Sequence, residues 1–291
     1  MIAWLGTGLL GGNFVRRLRE RGEEVHVWNR TPDKARALES DGAKAFDSAA
    51  DAVRGAGVVH VTLADDASVD AVLEPLAGSL ARETLIVDHT TTAPTPTGER
   101  VARWKQRGVT FVHAPVFMGP PAARQAQGLM LLSGDAQTRA RVKPLLEPMT
   151  GKVLELGDDP TRGASFKLFG NMMLVFVISG LADGYRFMRA QGITPPEAHA
   201  LFDAFTLNNA IGGRGKAMAN GDFTPLWELF MARKDIRLMT EEAERRGAHL
   251  DVLPAIAQFF DRSIALGYGK QDVGVVAAAD REPALAGSPS R

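Results

Sequence analysis

"MIAWLGTGLLGGNFVRRLRERG", residues 1–22, sets a short apolar strand pattern against a glycine-rich turn and an amphipathic helix. Within it, Gly6-Thr7-Gly8-Leu9-Leu10-Gly11 matches G-x-G-x-x-G. Gly6 allows a tight turn, Gly8 lets backbone approach a pyrophosphate, and Gly11 allows close contact between helix and strand. The helix N-terminus that follows presents unpaired N–H groups to an anion. An isolated match is often no more than a glycine-rich turn. Here the strand before it, the helix after it and its place at the start of the sequence favour dinucleotide binding.

From there to about residue 160, short apolar runs ("EEVHVWN", "VVHVTL", "TLIVDHT", "VTFVHAPV", "LMLLSG", "KVLELG") alternate with amphipathic segments, the pattern of a parallel sheet flanked by helices. Several runs lack polar alternation, as in strands buried on both faces. Thr31-Pro32-Asp33 and Asp135 read as helix starts. Further on, helical patterns take over at about 164–190, 195–207, 224–246 and 252–266, with breaks at "QGITPP" and "IGGRGKAMANGD". The expected fold is α/β: a doubly wound parallel Rossmann domain over 1–160, an all-α domain over 161–280 joined by a long interdomain helix, and a disordered tail over 281–291.

The sequence has 291 residues, 45% hydrophobic and 23% charged, with 34 basic and 34 acidic side chains. That balance gives no sequence-wide reason to bind nucleic acid or anionic lipid, and favours small neutral or modestly charged partners. Cysteine is absent, which excludes disulfides and thiolate chemistry and is compatible with a cytoplasmic location. The six histidines show no metal-ligand spacing, so no metal is expected. The opening strand pattern is unlike a signal peptide. Leu168–Ala182 is broken by Asn171 and falls short of the ~20 apolar residues of a membrane span, so it reads as a core helix.

The second strand runs into "VHVWNRTPDK", where selection of NAD usually places an acidic residue. Asn29, Arg30 and Thr31 stand there instead, and a guanidinium fork with small polar neighbours suits a ribose 2'-phosphate. A solvated loop arginine is the alternative; the preferred reading is NADP(H). Leu63 and Ala64 in "TLADD" and Thr91 in "DHTTTAP" follow strands at their carboxyl ends, where loops line the nicotinamide side. Thr90, Thr91 and Thr92 read equally well as caps of the next helix.

In "GASFKLFGNMMLVFVISG", residues 163–180, Lys167 and Asn171 lie one turn apart on one helical face. Either Lys167 reaches water by snorkelling while Asn171 bonds to nearby backbone, or the two form a working pair.

Four ordered motifs favour the second reading. The sequence matches G-x-G-x-M-G at Gly6–Gly11, with Leu10 for methionine, and D-x-S-T-x-x-P at Asp88–Pro94. It matches G-x-x-x-K-x-x-x-N at Gly163, Lys167 and Asn171, and K-D-x-x-L at Lys234, Asp235 and Leu238. Over residues 1–280 it resembles the β-hydroxyacid dehydrogenase family, which includes 3-hydroxyisobutyrate dehydrogenase and the glyoxylate and succinic semialdehyde reductases and shares its NAD-binding superfamily with 6-phosphogluconate dehydrogenase. The resemblance implies an NADP(H)-dependent oxidoreductase transferring hydride between nicotinamide and a small aldehyde, ketone or hydroxy acid. It assigns Thr91 to the nicotinamide, Lys234 to the neighbourhood of the cofactor, Lys167 to general acid/base catalysis, and Asn171 to holding the substrate oxygen or orienting the ammonium. A homodimer or higher homo-oligomer is implied as well.

One stretch departs from the family. Its substrate loop, D-x-P-V-S-G-G-x-x-G-A-x-x-G, is here "HAPVFMGPPAARQA": Pro115, Val116, Gly119 and Ala123 agree, whereas His113, Phe117, Met118, Ala122 and Ala126 do not. In the family the Ser-Gly-Gly binds a substrate carboxylate, and Phe117 has no hydroxyl to offer. Phe117, Met118 and Gly119 are therefore expected to shape a pocket for a larger or more apolar substrate, or for a C=N bond as in the related imine reductases, which generally lack the lysine kept here. The alternatives are that Phe117 and Met118 pack as core while Arg124 takes the carboxylate, or that the chain is a catalytically silent NADP(H)-binding module.

Overall fold

Alternate side chains of β1 (Ile2–Leu5) enter two separate cores, Trp4 on one face and Ala3 with Leu5 on the other. A strand without a polar face belongs in the middle of a sheet covered on both sides. β1 pairs in parallel with β2 (Val25–Trp28) and β4 (Val58–Val61), in a six-stranded sheet ordered β3-β2-β1-β4-β5-β6; β3 is Lys44–Ala45, β5 Leu85–Asp88 and β6 Thr110–His113. Helix α1 (Leu9–Glu20) covers the Trp4 face with Phe14, Val15 and Leu18, each worth about 1.5–3 kcal/mol. The Asp66–Leu73 and Pro94–Gln106 helices cover the other face through Val69, Leu73 and Trp104. The fully buried Arg100 guanidinium locks these two helices together, pairing with Asp66 at 3.1 Å and Asp70 at 2.8 Å.

The sheet is thus doubly wound, as expected, and its strand order reverses between β1 and β4, where ligand sites open at the strands' carboxyl ends. The run "VTFVHAPV" is shared between two sheets. β7 (Val116–Phe117) pairs antiparallel with β8 (Leu129–Leu132), which pairs with β9 (Lys152–Glu155). Pro115, with no N–H for a ladder, stands at the break. Asp135 caps its helix, accepting from the Thr138 N–H at 2.9 Å, whereas the Thr31 hydroxyl makes no cap bond to the Pro32–Arg36 helix.

This computed structural model describes residues 1–278, so the tail expected over 281–291 lies outside the described residues. Contacts divide the chain into two units, Met1–Met172 and a second beginning at Met173. The second unit is helical. After the long helix (Arg162–Ala190) come Pro195–His199, Leu201–Ala204, Lys216–Ala219, Leu229–Arg245 and Leu253–Ser263, with a core of Leu229, Ala232, Val273 and Val275. The Asp183 carboxylate accepts from the N–H groups of Asp251, Val252 and Leu253, fixing the start of the Leu253–Ser263 helix. The stretch "IGGRGKAMANGD", expected as a break, is helical over Ala210–Gly215 and Lys216–Ala219. Met218 packs on Gly274 there, a tertiary contact that overrides the local glycines.

The long helix is not the core helix its apolarity suggests. Leu168, Phe169 and every residue of Met172–Ile178 are exposed, and only 11% of its most apolar window is buried. By length and composition it is long enough to cross a membrane.

Candidate active site

Gly6 adopts φ +95°, and a Cβ there would meet the Thr62 carbonyl oxygen at 2.1 Å; a Cβ on Gly11 would meet that of Gly6 at 2.1 Å. At Gly8 a Cβ would face open space. The glycines therefore divide the labour of turn, helix contact and open approach. Helix α1 has no side-chain cap and no acidic residue in its first turn, which leaves its N–H groups to an anion. This cradle fits the pyrophosphate of a dinucleotide. It opens on a cavity of about 500 Å³ lined by Gly6, Gly8, Leu9, Leu10, Gly11, Asn29, Arg30, Thr31, Leu63, Ala64, Thr91, Met118 and Lys167, so most of the residues singled out from sequence meet there. Another cavity, about 470 Å³ beside β6, holds none of the expected cofactor, substrate or catalytic residues.

Thr7 is buried and does not line the cavity. Its N–H donates to Asn29 Oδ1 at 3.0 Å, and Asn29 Nδ2 donates to the Thr31 carbonyl at 3.0 Å, so Asn29 braces the loop. Arg30 is exposed, and Lys34, one turn along, lines the same cavity. Lys34 escaped the sequence reading, although its place in the first turn after Pro32 is legible in "NRTPDK".

The threonines do not cap the Pro94–Gln106 helix. Ala93 precedes it, and its N–H donates to Asp66 Oδ2 at 2.9 Å. Instead the loop is braced from beneath. The Thr90 N–H donates to Asp88 Oδ1 at 2.9 Å, the Leu63 N–H donates to Thr90 Oγ1 at 3.0 Å, and His113 Nε2 lies 2.8 Å from the Thr90 carbonyl oxygen and 3.0 Å from Thr92 Oγ1. His60 Nδ1 lies 2.9 Å from His89 Nε2, and His89 Nδ1 lies 2.7 Å from the Ala114 carbonyl, so His89 donates to that carbonyl and accepts from His60. Trp4 stacks on His60 with ring centroids 4.7 Å apart. Burial holds His89 and His113 down to about 4 and, with the neighbouring His89, pushes His60 well below its ordinary value. Burial pushes Asp88 up to about 6 against the hydrogen bonds from Thr90. These histidines looked scattered because only strand register, which aligns Val61, Asp88 and His113 across β4, β5 and β6, brings their neighbourhoods together.

Lys167 lies on the long helix, which is seated by buried Ala164 and by the Gly163 N–H donating to Ser133 Oγ at 3.0 Å. The lysine is buried, 9% exposed; Nζ donates to Asn171 Oδ1 at 2.9 Å and sits 4.1 Å from the centroid of the Phe117 ring. Burial lowers its pKa. It faces the cavity rather than snorkelling to open water. Phe117 packs against the helix at Gly170, and Gly119 is exposed and precedes the Pro120–Arg124 helix; of the three residues expected to shape the pocket only Met118 lines the cavity. Arg124 pairs with Glu20 at 2.8 Å and is not a carboxylate receptor in this cavity. Lys234 belongs to the second unit and pairs with Asp235 at 2.8 Å. Among the described residues no cluster of three or more His, Asp or Glu side chains could hold a metal.

Comparison with known proteins agrees with these features. Residues 1–157 match the family model of the NAD binding domain of 6-phosphogluconate dehydrogenase, and residues 161–279 match the model described as NAD-binding of NADP-dependent 3-hydroxyisobutyrate dehydrogenase. The chain is similar to an uncharacterized oxidoreductase of Bacillus subtilis, 28% identical over 93% of this chain and 96% of the relative. It is also similar to an NAD-dependent L-serine dehydrogenase of Pseudomonas aeruginosa, 26% identical over 94% and 96%. An imine reductase from Myxococcus stipitatus in complex with NADP+ shares the fold, with a TM-score of 0.88 at 20% identity, covering 96% of this chain and 99% of that one.

Proposed function

The chain belongs to the β-hydroxyacid dehydrogenase family of nicotinamide-dependent oxidoreductases, and from that premise we propose an NADP(H)-dependent enzyme that interconverts a small aldehyde or ketone and its alcohol, with Lys167 as general acid/base. The observation that carries this reading is the buried Lys167 ammonium in the same cavity as the Gly6–Gly11 cradle. Gly6, Gly8 and the first turn of α1 would hold the pyrophosphate, Arg30 with Lys34 the 2'-phosphate, and Leu63, Ala64 and Thr91 the nicotinamide side. Lys234 is assigned near the cofactor by its motif alone.

When bound, the nicotinamide supplies or takes up hydride at the carbonyl carbon. Lys167 Nζ gives a proton to the carbonyl oxygen in reduction and takes one from the alcohol in oxidation. Desolvation brings that titration closer to neutral pH, and Asn171 fixes the direction of one N–H. Imine reduction is the second reading, favoured by the Phe117 ring 4.1 Å from Nζ and by the apolar Val116 and Met118 in the cavity lining. NADPH absorbance decay with aldehydes, keto acids and cyclic imines separates the two, and binding of NADPH with consumption in none of them would leave a silent module.

The assembly belongs to the same proposal: a homodimer or larger homo-oligomer in the cytoplasm, with a second copy covering the apolar band Leu168–Ile178. A contiguous exposed apolar surface of that extent marks an interaction site. Light scattering of the purified chain measures it, and a monomer would refute it.

A further inference from the structure

Behind the cavity lining, beside Lys167, the Phe117 ring is seated in an unusual way. A Cβ on Gly170 would lie 2.3 Å from Phe117 Cζ, so the ring occupies the space a side chain at 170 would fill. Seated there, it lies across the ammonium, 4.1 Å from centroid to Nζ. Val116 and Met118 line the cavity on either side in sequence. The cations lining this cavity are Arg30, Lys34 and Lys167, and the first two belong to the segment after β2 that faces the phosphate-binding loop. A carboxylate beside the reacting carbon would have only Lys167 to pair with in the first unit. The Phe117 ring already covers one side of that ammonium, a position that attracts cations and repels anions, so a carboxylate would have only the remaining approach to it. It would also lose its partner's charge when Lys167 released a proton, and would be left unpaired out of water.

We infer that Phe117, held in place by the absence of a side chain at Gly170, is a specificity-determining residue that restricts the site to substrates with an uncharged, apolar group beside the reacting carbon. This rests on the reading of Lys167 as proton donor to a carbonyl or imine.

The test compares a short 2-oxo acid with its own methyl ester, by NADPH absorbance decay and by calorimetric binding of the corresponding hydroxy acid and hydroxy ester to the NADP+-loaded protein. It uses wild type, Phe117→Ser and Gly170→Ala, the last displacing the ring without altering it. Wild type is expected to favour the ester by at least about tenfold in kcat/KM and in Kd. Both variants are expected to narrow that preference, Phe117→Ser the more. Equal binding of acid and ester by wild type, or a preference unchanged in both variants, overturns the inference. If neither compound nor a matching cyclic imine is consumed while the binding preference persists and responds to Phe117→Ser, the catalytic reading fails and the specificity of the site stands.

Discussion

Lys167 and Asn171 are joined one helical turn apart, the ammonium of the buried lysine donating to the carboxamide oxygen of the partly buried asparagine at 2.9 Å. An acceptor at that distance stabilises the charged amine and opposes the burial that depresses it. Asn171→Ala should therefore move the alkaline limb of kcat/KM for reduction to lower pH, because the protonated amine is lost earlier as pH rises. Asn171→Asp should move it to higher pH. A profile that shifts the same way in both variants would argue that Asn171 acts through packing alone.

Arg30 and Lys34 make the cofactor preference testable as charge. Removing one charge-assisted contact to a phosphate costs about 1.5–3 kcal/mol, or roughly tenfold to a hundredfold in affinity. Arg30→Ala should weaken NADPH by that factor and leave NADH within a few-fold, and Lys34→Ala should act in the same direction. Titration of intrinsic fluorescence with each cofactor reads the ratio; a wild-type preference for NADH would end the NADP(H) assignment.

Ala126 has φ +53°, the only non-glycine residue at positive φ among the described residues. It stands where the family pattern has glycine, and an L side chain in that region costs on the order of 1 kcal/mol. Ala126→Gly should raise stability by up to about that amount, less the added freedom of the unfolded chain. A thermal melt checks it, and a fall in the transition midpoint would contradict it.

The buried histidines predict acid sensitivity. His89 and His113 titrate at about 4 in the fold against an ordinary 6.5, and His60 is displaced the same way. Between those values the unfolded chain binds more protons, so stability falls as pH drops from about 6.5 toward about 4. Asp88, at about 6 against 3.8, works in the opposite sense over its own window, one group against three. The net loss should reach a few kcal/mol, measured as the denaturant midpoint from pH 7 to pH 5. A midpoint that rises on acidification would show that the carboxylate dominates.

What the sequence disclosed depended on how far each cause reaches along the chain. The β1–α1 turn is local, so three glycines between a strand and a helix were enough to place it, and helical periodicity put Lys167 and Asn171 on one face, although only the ordered motifs favoured reading them as a working pair. The Phe117–Gly170 contact joins residues from β7 and the long helix, and no local pattern reports it. The His60–His89–His113 assembly needed strand register, and β3 is too short to show a period. Apolarity alone made the long helix read as a core helix, because composition does not report which faces other parts of the chain cover, and most of its apolar window is exposed.

The most direct measurement is the turnover of Lys167→Ala and Lys167→Met beside their NADPH affinity, using whichever carbonyl substrate the wild type consumes. A general acid is worth about 10²–10⁴ in rate. Both variants should lose at least a hundredfold in kcat while binding NADPH within a few-fold of wild type. A kcat within a few-fold of wild type in either variant would contradict the account.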